Sequence, residues 1–484
     1  MTLSIAGLII STILLLTGFI LRAPLVVALL SSLAFGTTAF VELTAIGGAT
    51  PPIFTLSLLL FILAVAMHRR FFVELVNVLT ANSTGVLICL LIVYSVAGAI
   101  ILPRMFADQT TAFIPVSGGI NEVPLAPTSK NITQSAYFVL SAIAFFAFVL
   151  WFRQPQNFSR LKRGFYSLTV FSIALGLLDL AGKKAGITDV FIPIRTVHYE
   201  LLTDSQLSTT DFWRIAGGQA EASAYGTYAL ICFAFCVVYW HRTGSILALI
   251  LSVCILAMLL LSTSTTGYAG LAILALFALW PAVVRIAQGY LHRRDIVFVT
   301  IIFLFSMFVT YLYLFQPSTI EPYIKLTQEA IIEKTESASA KERFYWNRKS
   351  MLSVSDTYGL GIGLGSSRSS SWIISVIAQL GIIGACVMFY FVYRILIGLR
   401  GIGSVGQDRE IADVASGARA AAVASILASS ISGGAVNPGV IFFIALAAIE
   451  AARHQSAPQQ PVMQGGITRV SVARPQALRQ GPDR

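Results

Sequence analysis

Three segments of this chain carry the residue types that could do chemistry. The first is DFWRIAGGQAEASAYG, which sets Arg214 and Glu221 seven residues apart, at or just before the start of an apolar run. Gly217 and Gly218 between them permit a tight backbone turn. An arginine at such a boundary can hold a phosphate through two parallel N–H donors. A carboxylate close by can act as general base or orient a donor. The same two residues also suit an interfacial ion pair that anchors a helix.

The second segment is KERFYWNRKSML. Arg343 and Arg348 stand five apart, flanked by Lys341 and Lys349, with Phe344, Tyr345 and Trp346 between them. Five is a loose match to one helical face, which favours spacings of three or four. Guanidinium groups interleaved with rings fit a ligand that joins pyrophosphate to sugar, and they equally fit an aromatic-basic belt at a membrane interface. The third segment, YGLGIGLGSSRSSSW, alternates Gly359, Gly361, Gly363 and Gly365 before a serine stretch around Arg368. A glycine-serine run before a helix is expected to expose backbone N–H groups to an anion, or else to be a flexible loop. It lacks the G-K-[ST] ending of a P-loop, and no βαβ pattern surrounds it. Leu261–Tyr268, LSTSTTGY, is a hydroxyl-rich turn that could line a polar cavity or simply link two helices with its hydroxyls locally satisfied.

Other chemistries have little support. Of the five histidines, His68, His241, His292 and His454 fall in basic loops or the tail, and His198 alone shares the face of the arginines. No His/Cys/Asp/Glu cluster has metal-ligand spacing, and no G-x-S-x-G or H-E-x-x-H motif occurs. No metal and no cofactor is expected.

The elements that must position these residues are membrane helices. The chain of 484 residues is 56% hydrophobic and 11% charged, with mean hydropathy +0.80. A soluble domain carries about 25% charged residues. The net charge of +11 has no basic helix or aromatic-basic platform outside the apolar runs, so nucleic acid is not the expected partner. The five cysteines all lie in apolar runs and read as small buried hydrophobes, without a disulfide. Apolar runs of roughly 20 residues recur from Leu3–Leu21 to Asn437–Ala452 and give about 12–13 spans, the first run being retained rather than cleaved. The fold class is therefore all-α, a polytopic transmembrane bundle over 1–453, with a disordered cytoplasmic tail over 454–484.

Short basic loops around His68–Arg70, Arg153–Arg163, Arg242, Arg285–Arg294 and Arg394–Arg409 are cytoplasmic under the positive-inside rule. Three long loops, about 103–133, 182–221 and 316–371, then lie on the opposite face, periplasmic in a bacterium, and hold nearly all the polar candidates.

In order and content these motifs resemble the O-antigen ligase and polymerase superfamily, and more closely its polysaccharide polymerase branch. The match runs through NITQSAYFVL at Asn131–Leu140, RIAGGQAEASAYG, LSTSTTGYAG, RFYWN and GIGLGSSRSSSWIISVIAQLGIIG, roughly residues 100–390. The resemblance implies a type-C-like, metal-independent glycosyltransferase in the bacterial inner membrane, with its active face periplasmic. The implied donor is an oligosaccharide on undecaprenyl diphosphate, the implied acceptor another lipid-linked repeat unit, and a chain-length regulator an implied partner. Arg214 and Arg343 would hold the diphosphate with Glu221 as base; Arg348, Arg368, Trp346, Tyr345 and His198 would bind substrate. Two departures count against a ligase. Arg368 and Ser369–Ser371 stand where ligases carry a histidine, and Thr265 and Thr266 stand where they carry an arginine. They also leave Glu221, His198 and direct activation by the departing pyrophosphate as alternatives for the base. A ligase-like enzyme with another acceptor and a flippase of lipid-linked sugars are the competing readings. A flippase would show repeats and mid-span charge, neither of which is evident here.

Overall fold

In hydrocarbon every backbone polar group must be satisfied within the protein, and helices do this without neighbours. The computed structural model describes residues 2–43, 48–81, 83–116, 119–187, 189–197, 214–289, 338–397 and 409–456, with isolated positions between 296 and 314. The described elements are α1 (Ile5–Ile20), α2 (Pro24–Ser32), α3 (Ile53–Ala66), α4 (Phe71–Ala81), α5 (Ser83–Met105), α6 (Ser129–Trp151), α7 (Gln156–Lys184), α8 (Ala222–Thr243), α9 (Ile246–Leu261), α10 (Thr265–Ala287), α11 (Ala338–Asp356), α12 (Trp372–Ile397), α13 (Arg409–Ser432) and α14 (Val440–Ser456). Thr2–Leu3 pairs with Val41–Glu42 in a short ladder. The bundle is all-α and polytopic, as the composition predicts.

Among the described residues six helices, α5, α6, α7, α8, α12 and α13, are long and apolar enough to cross a membrane. A seventh span arises if α3 and α4, bent by 99° at the break between them, count as one. α1 and α9 have 16 residues each. At about 1.5 Å per residue they fall short of a ~30 Å core. Most of the expected span near Ile296–Phe315, and the tail over 457–484, lie outside the described residues. Residues 454–456 belong to α14 rather than to the tail.

Three loops expected from hydropathy contain structure. Residues 103–133 hold an antiparallel hairpin, β3 (Thr111–Val116) with β4 (Gly119–Pro124), in register Thr111 to Pro124. Residues 316–371 hold α11. α7 begins at Gln156, so Arg160, Lys162 and Arg163 are helical rather than loop residues.

Two ends of the bundle can be told apart by their bonds. At one end Arg163 donates to the Leu21 carbonyl, Lys162 pairs with Glu410, and Arg242 pairs with Asp413. There too Gln455 donates to the Phe152 carbonyl. At the other end Thr37 meets Gly218, and the Trp372 indole donates to the Val436 carbonyl. The helices alternate in direction between these ends. Their middles pack through stacked rings, such as Phe165 on Phe235 at 4.1 Å, and through small residues. A Cβ on Gly417 of α13 would come within 3.0 Å of the Phe235 ring of α8. Close approach of this kind holds helices together where lipid supplies no hydrophobic drive. α14 is buried almost throughout, from Val440 to Ala452.

One helix is broken. Gly381 of α12 sits at φ 68° and ψ −176°, inside an otherwise apolar span. The glycine run threads into this break. The Ile362 N–H donates to the Ala378 carbonyl at 2.9 Å, Gly363 to Gln379 at 3.0 Å, and Ile382 to Gly359 at 2.9 Å. Gly359, Gly361, Gly363 and Gly365 all have φ between 80° and 88°. Three of them also face backbone or proline: a Cβ would lie 2.5 Å from the Gly381 nitrogen at Gly361, 2.7 Å from the Gly98 oxygen at Gly363, and 2.5 Å from the Lys130 oxygen at Gly365. Only glycine combines that backbone with that proximity.

Candidate functional site

The 214–221 segment is held from below by α7. Asp179 accepts the N–H groups of Ala216 and Gly217 at 2.8 and 2.9 Å on one carboxylate oxygen. Its other oxygen pairs with Lys183 at 3.1 Å. Lys183 in turn donates to the Arg214 carbonyl at 2.8 Å. Both side chains are only 1–2% exposed. A buried pair is tolerable because these backbone bonds satisfy what the pair itself leaves open. From the side, Arg195 donates to the carbonyls of Gly217 and Gln219, both at 2.9 Å, while paired with Asp189. Gly217 adopts φ 54°, which the turn requires.

So clamped, Arg214 points toward the hydroxyl-rich turn between α9 and α10. Its guanidinium donates weakly to the Thr263 carbonyl at 3.5 Å. Its Nε is buried and has no partner among the described residues, and the same is true of the Thr263 hydroxyl. Thr263 also holds φ at 47°, a conformation that costs about 1–2 kcal/mol for a residue with a Cβ. Burial pulls the Arg214 pKa below its ordinary value; the Glu221 carboxylate pulls it back up, and the Arg343 guanidinium adds to the fall. Glu221, seven residues along the chain, and Arg343, far off in sequence, thus both lie within electrostatic reach of Arg214. Glu221 caps α8 with its carbonyl bonded to the Tyr225 N–H at 3.1 Å, and its carboxylate accepts from the Ser223 hydroxyl.

Arg343 comes from α11, which the β3–β4 hairpin holds in place. Glu122 accepts from the Tyr345 and Thr111 hydroxyls, both at 2.6 Å, and pairs with Lys349 at 3.0 Å. The two hydroxyl bonds foremost hold the Glu122 carboxyl at about 2. Trp346 is buried and tilts against Phe113 of the hairpin. Asn347, one turn beyond Arg343, accepts from the Ser370 N–H at 2.9 Å. Arg348 is exposed and does not share the face of Arg343, since five residues turn a helix by about 140° beyond a full circle.

Two cavities open beside this site. One, of about 220 Å³, is lined by Glu221, Ser223, Thr227, Tyr228, Ser425 and Ser429, with Gly433 at its rim. The other, of about 290 Å³, is lined by Lys130, Gln134, Arg368, Gln379 and the serines 366 and 367, with Gly434 at its rim. The turn between α13 and α14 thus separates an acidic, hydroxyl-lined cavity from a basic one. Arg368 packs close enough to Gly434 that a Cβ there would come within 2.9 Å of its side chain.

The glycine-serine run does not expose a row of free N–H groups. Gly361 donates to the Thr357 hydroxyl, Gly365 to the Gln379 side chain at 2.7 Å, and Arg368 to the Phe113 carbonyl at 2.9 Å. The expectation of a backbone anion cradle is corrected accordingly: the run is spent on packing against α5, α6 and α12, and its contribution to the cavity is the Arg368 side chain.

Comparison with protein-family models gives no match, and comparison with the curated proteins gives none either. The site therefore stands on its geometry. Glu221 and Arg343 both act electrostatically on Arg214. Arg368 lines the neighbouring cavity. Tyr345 and Trp346 are engaged by the hairpin, and His198 lies outside the described residues. Among the described residues no three of His, Cys, Asp and Glu gather as metal ligands would. Sequence reasoning passed over Asp179, Lys183, Arg195 and Lys130. The signal for the first two was present, because an i,i+4 charge pair inside an apolar run is costly unless it has a task.

Proposed function

We propose that this chain is a membrane-embedded polysaccharide polymerase that elongates an oligosaccharide carried on undecaprenyl diphosphate. One observation carries the reading: the Glu221 carboxylate and the Arg343 guanidinium lie within electrostatic reach of Arg214 at one end of the bundle, where a buried Arg214 Nε and the Thr263 hydroxyl lack partners among the described residues. Unpaired buried donors of this kind are expensive unless a ligand meets them. A diphosphate supplies acceptor oxygens for both guanidinium groups.

In the proposed reaction a hydroxyl of the acceptor sugar attacks the anomeric carbon of the donor. The new C–O bond forms as the bond from that carbon to the diphosphate oxygen breaks. The hydroxyl proton passes to the Glu221 carboxylate, which Ser223 orients. The electron pair of the broken bond leaves on the diphosphate, where Arg214 and Arg343 stabilise the growing negative charge. The hydroxyl-lined cavity next to Glu221 suits the acceptor sugar. The Lys130–Arg368 cavity beyond the Gly433–Gly434 turn suits a second anionic group, as expected when both substrates are lipid diphosphates.

Orientation supports the same reading. The end bearing Arg163, Arg242 and Arg453 is rich in basic residues, which makes it cytoplasmic under the positive-inside rule. The site then faces the periplasm from a bacterial inner membrane. The test is chain length in cells. Arg214→Ala and Arg343→Ala should each abolish polymer while membrane levels of the protein stay normal. Polymer of normal length from both variants contradicts the proposal.

A further inference from the structure

A further cavity lies at the opposite end of the bundle from Arg214. It measures about 540 Å³ and is bounded by the α1–α2 turn, the end of α3, the start of α4 and the α6–α7 turn. Its rim carries Arg22, His68, Arg153 and Arg160, against a single carboxylate, Glu74. Glu74 is already paired with Arg153 at 3.2 Å. Three arginines against one carboxylate leave two positive charges even with His68 neutral. Arg22 sits at φ 54° on the turn, and Arg163 fixes that turn by donating to the Leu21 carbonyl at 2.9 Å. No ion pair of Arg22 or Arg160 is formed among the described residues, and Arg160 donates only to the neutral Asn157 side chain at 2.8 Å.

The interior of the cavity is apolar. Leu25, Phe61, Val65, Phe71 and Leu150 form its walls. These walls run on into surface that has no protein cover: along α3, Leu60 is 44% and Leu63 56% exposed. Past the 99° bend, α4 exposes Phe72 and Val73, as an interfacial helix does. A basic rim over apolar walls that lead to a lipid-facing flank matches a molecule with an anionic head and hydrocarbon tails. A free inorganic anion has no use for the walls.

We propose that this cavity binds one anionic phospholipid, its phosphate held by Arg22 and Arg160 and its acyl chains laid along α3. The site is independent of the glycosyl-transfer reading, and its ligand is a component of the surrounding bilayer rather than a substrate.

The full chain, purified in detergent, can be given equal amounts of phosphatidylglycerol and phosphatidylethanolamine and read by native mass spectrometry. The wild type should retain one phosphatidylglycerol in preference. Each arginine near an anionic surface contributes about 1 kcal/mol, so the double variant Arg22→Ala/Arg160→Ala should retain it about 30-fold less well. Arg69→Ala, on the same face but outside the cavity, should retain it as the wild type does. Ala64→Trp keeps every charge but fills the apolar wall, and should also lose the lipid. Thermal melts of each variant confirm that it is folded. The absence of any preference in the wild type, or retention undiminished in both the double variant and Ala64→Trp, overturns the proposal. So does displacement of the lipid by millimolar inorganic phosphate, which would identify a free-anion site.

Discussion

The Lys183 ammonium donates to the carbonyl oxygen of Arg214 at 2.8 Å, from the last turn of α7. Through this bond a membrane helix sets the depth and direction of the arginine at the centre of the site. Asp179, one turn earlier, completes the clamp by holding Ala216 and Gly217. The position of Arg214 thus depends on a buried charge pair in the last two turns of α7.

Asp179→Ala should damage both the fold and the site. Removing one partner of a buried pair strands the other and costs about 3–5 kcal/mol. The expected outcome is a large fall in melting temperature of the purified protein, together with loss of polymer. Asp179→Asn keeps the oxygen that the two N–H groups share, replaces the one paired with Lys183 by an amide nitrogen, and should restore part of both. Melting temperature and polymer yield, measured side by side, check this.

Glu221→Gln should separate binding from turnover. The amide is the same shape and still accepts from Ser223, so lipid-linked substrate should bind about as well. Loss of the base should slow transfer by about 10²–10⁴-fold. Equal turnover in the variant would assign the proton to another group.

Gly363→Ala should destabilise without touching the site chemistry. The glycine combines φ 88° with a Cβ position 2.7 Å from the Gly98 oxygen and 2.9 Å from the Pro103 ring. A side chain there must enter a left-handed conformation and push back α5, at a cost of about 1–3 kcal/mol or more. A lowered melting temperature is the expected result.

The hairpin anchor of α11 should withstand acid. Glu122 has its pKa lowered from 4.5 to about 2 by the Thr111 and Tyr345 hydroxyls. A depressed carboxylate gives stability that is fully present above its unfolded pKa and is lost as pH falls through the folded one. Protease sensitivity of α11 should therefore be flat from neutral pH down to about 4.5 and rise progressively as pH falls from there toward 2. Glu122→Gln should remove that acid step.

The sequence made some of this legible and hid the rest for physical reasons. The bundle was readable because long apolar runs have few other homes. Helix length was less legible: the runs Leu3–Leu21 and Gly244–Leu261 hold helices of 16 residues each. Arg214 and Glu221 could be found because their boundary position and the glycines between them are local signals. Their meeting with Arg343 is a tertiary fact that spacing does not encode. The glycine run was visible as unusual, yet its purpose was misjudged. Alternating glycines serve an anion cradle and a backbone threaded into a broken helix equally well, and only the acceptors of their N–H groups distinguish the two. The β3–β4 hairpin was missed because Thr111–Pro124 is short, polar and flanked by spans, and so reads as loop. With it went the Glu122 partner of Tyr345 and Lys349.

The most direct test of the central claim uses purified full-length protein, undecaprenyl-diphosphate-linked repeat units and separation of the products by length. The wild type should give a ladder of lipid-linked chains longer than one unit. Arg214→Ala or Arg343→Ala, each folded by thermal melt, should leave only the input unit. Unchanged unit length with the wild type, accompanied by movement of the substrate across a vesicle membrane, would contradict it and identify a transporter.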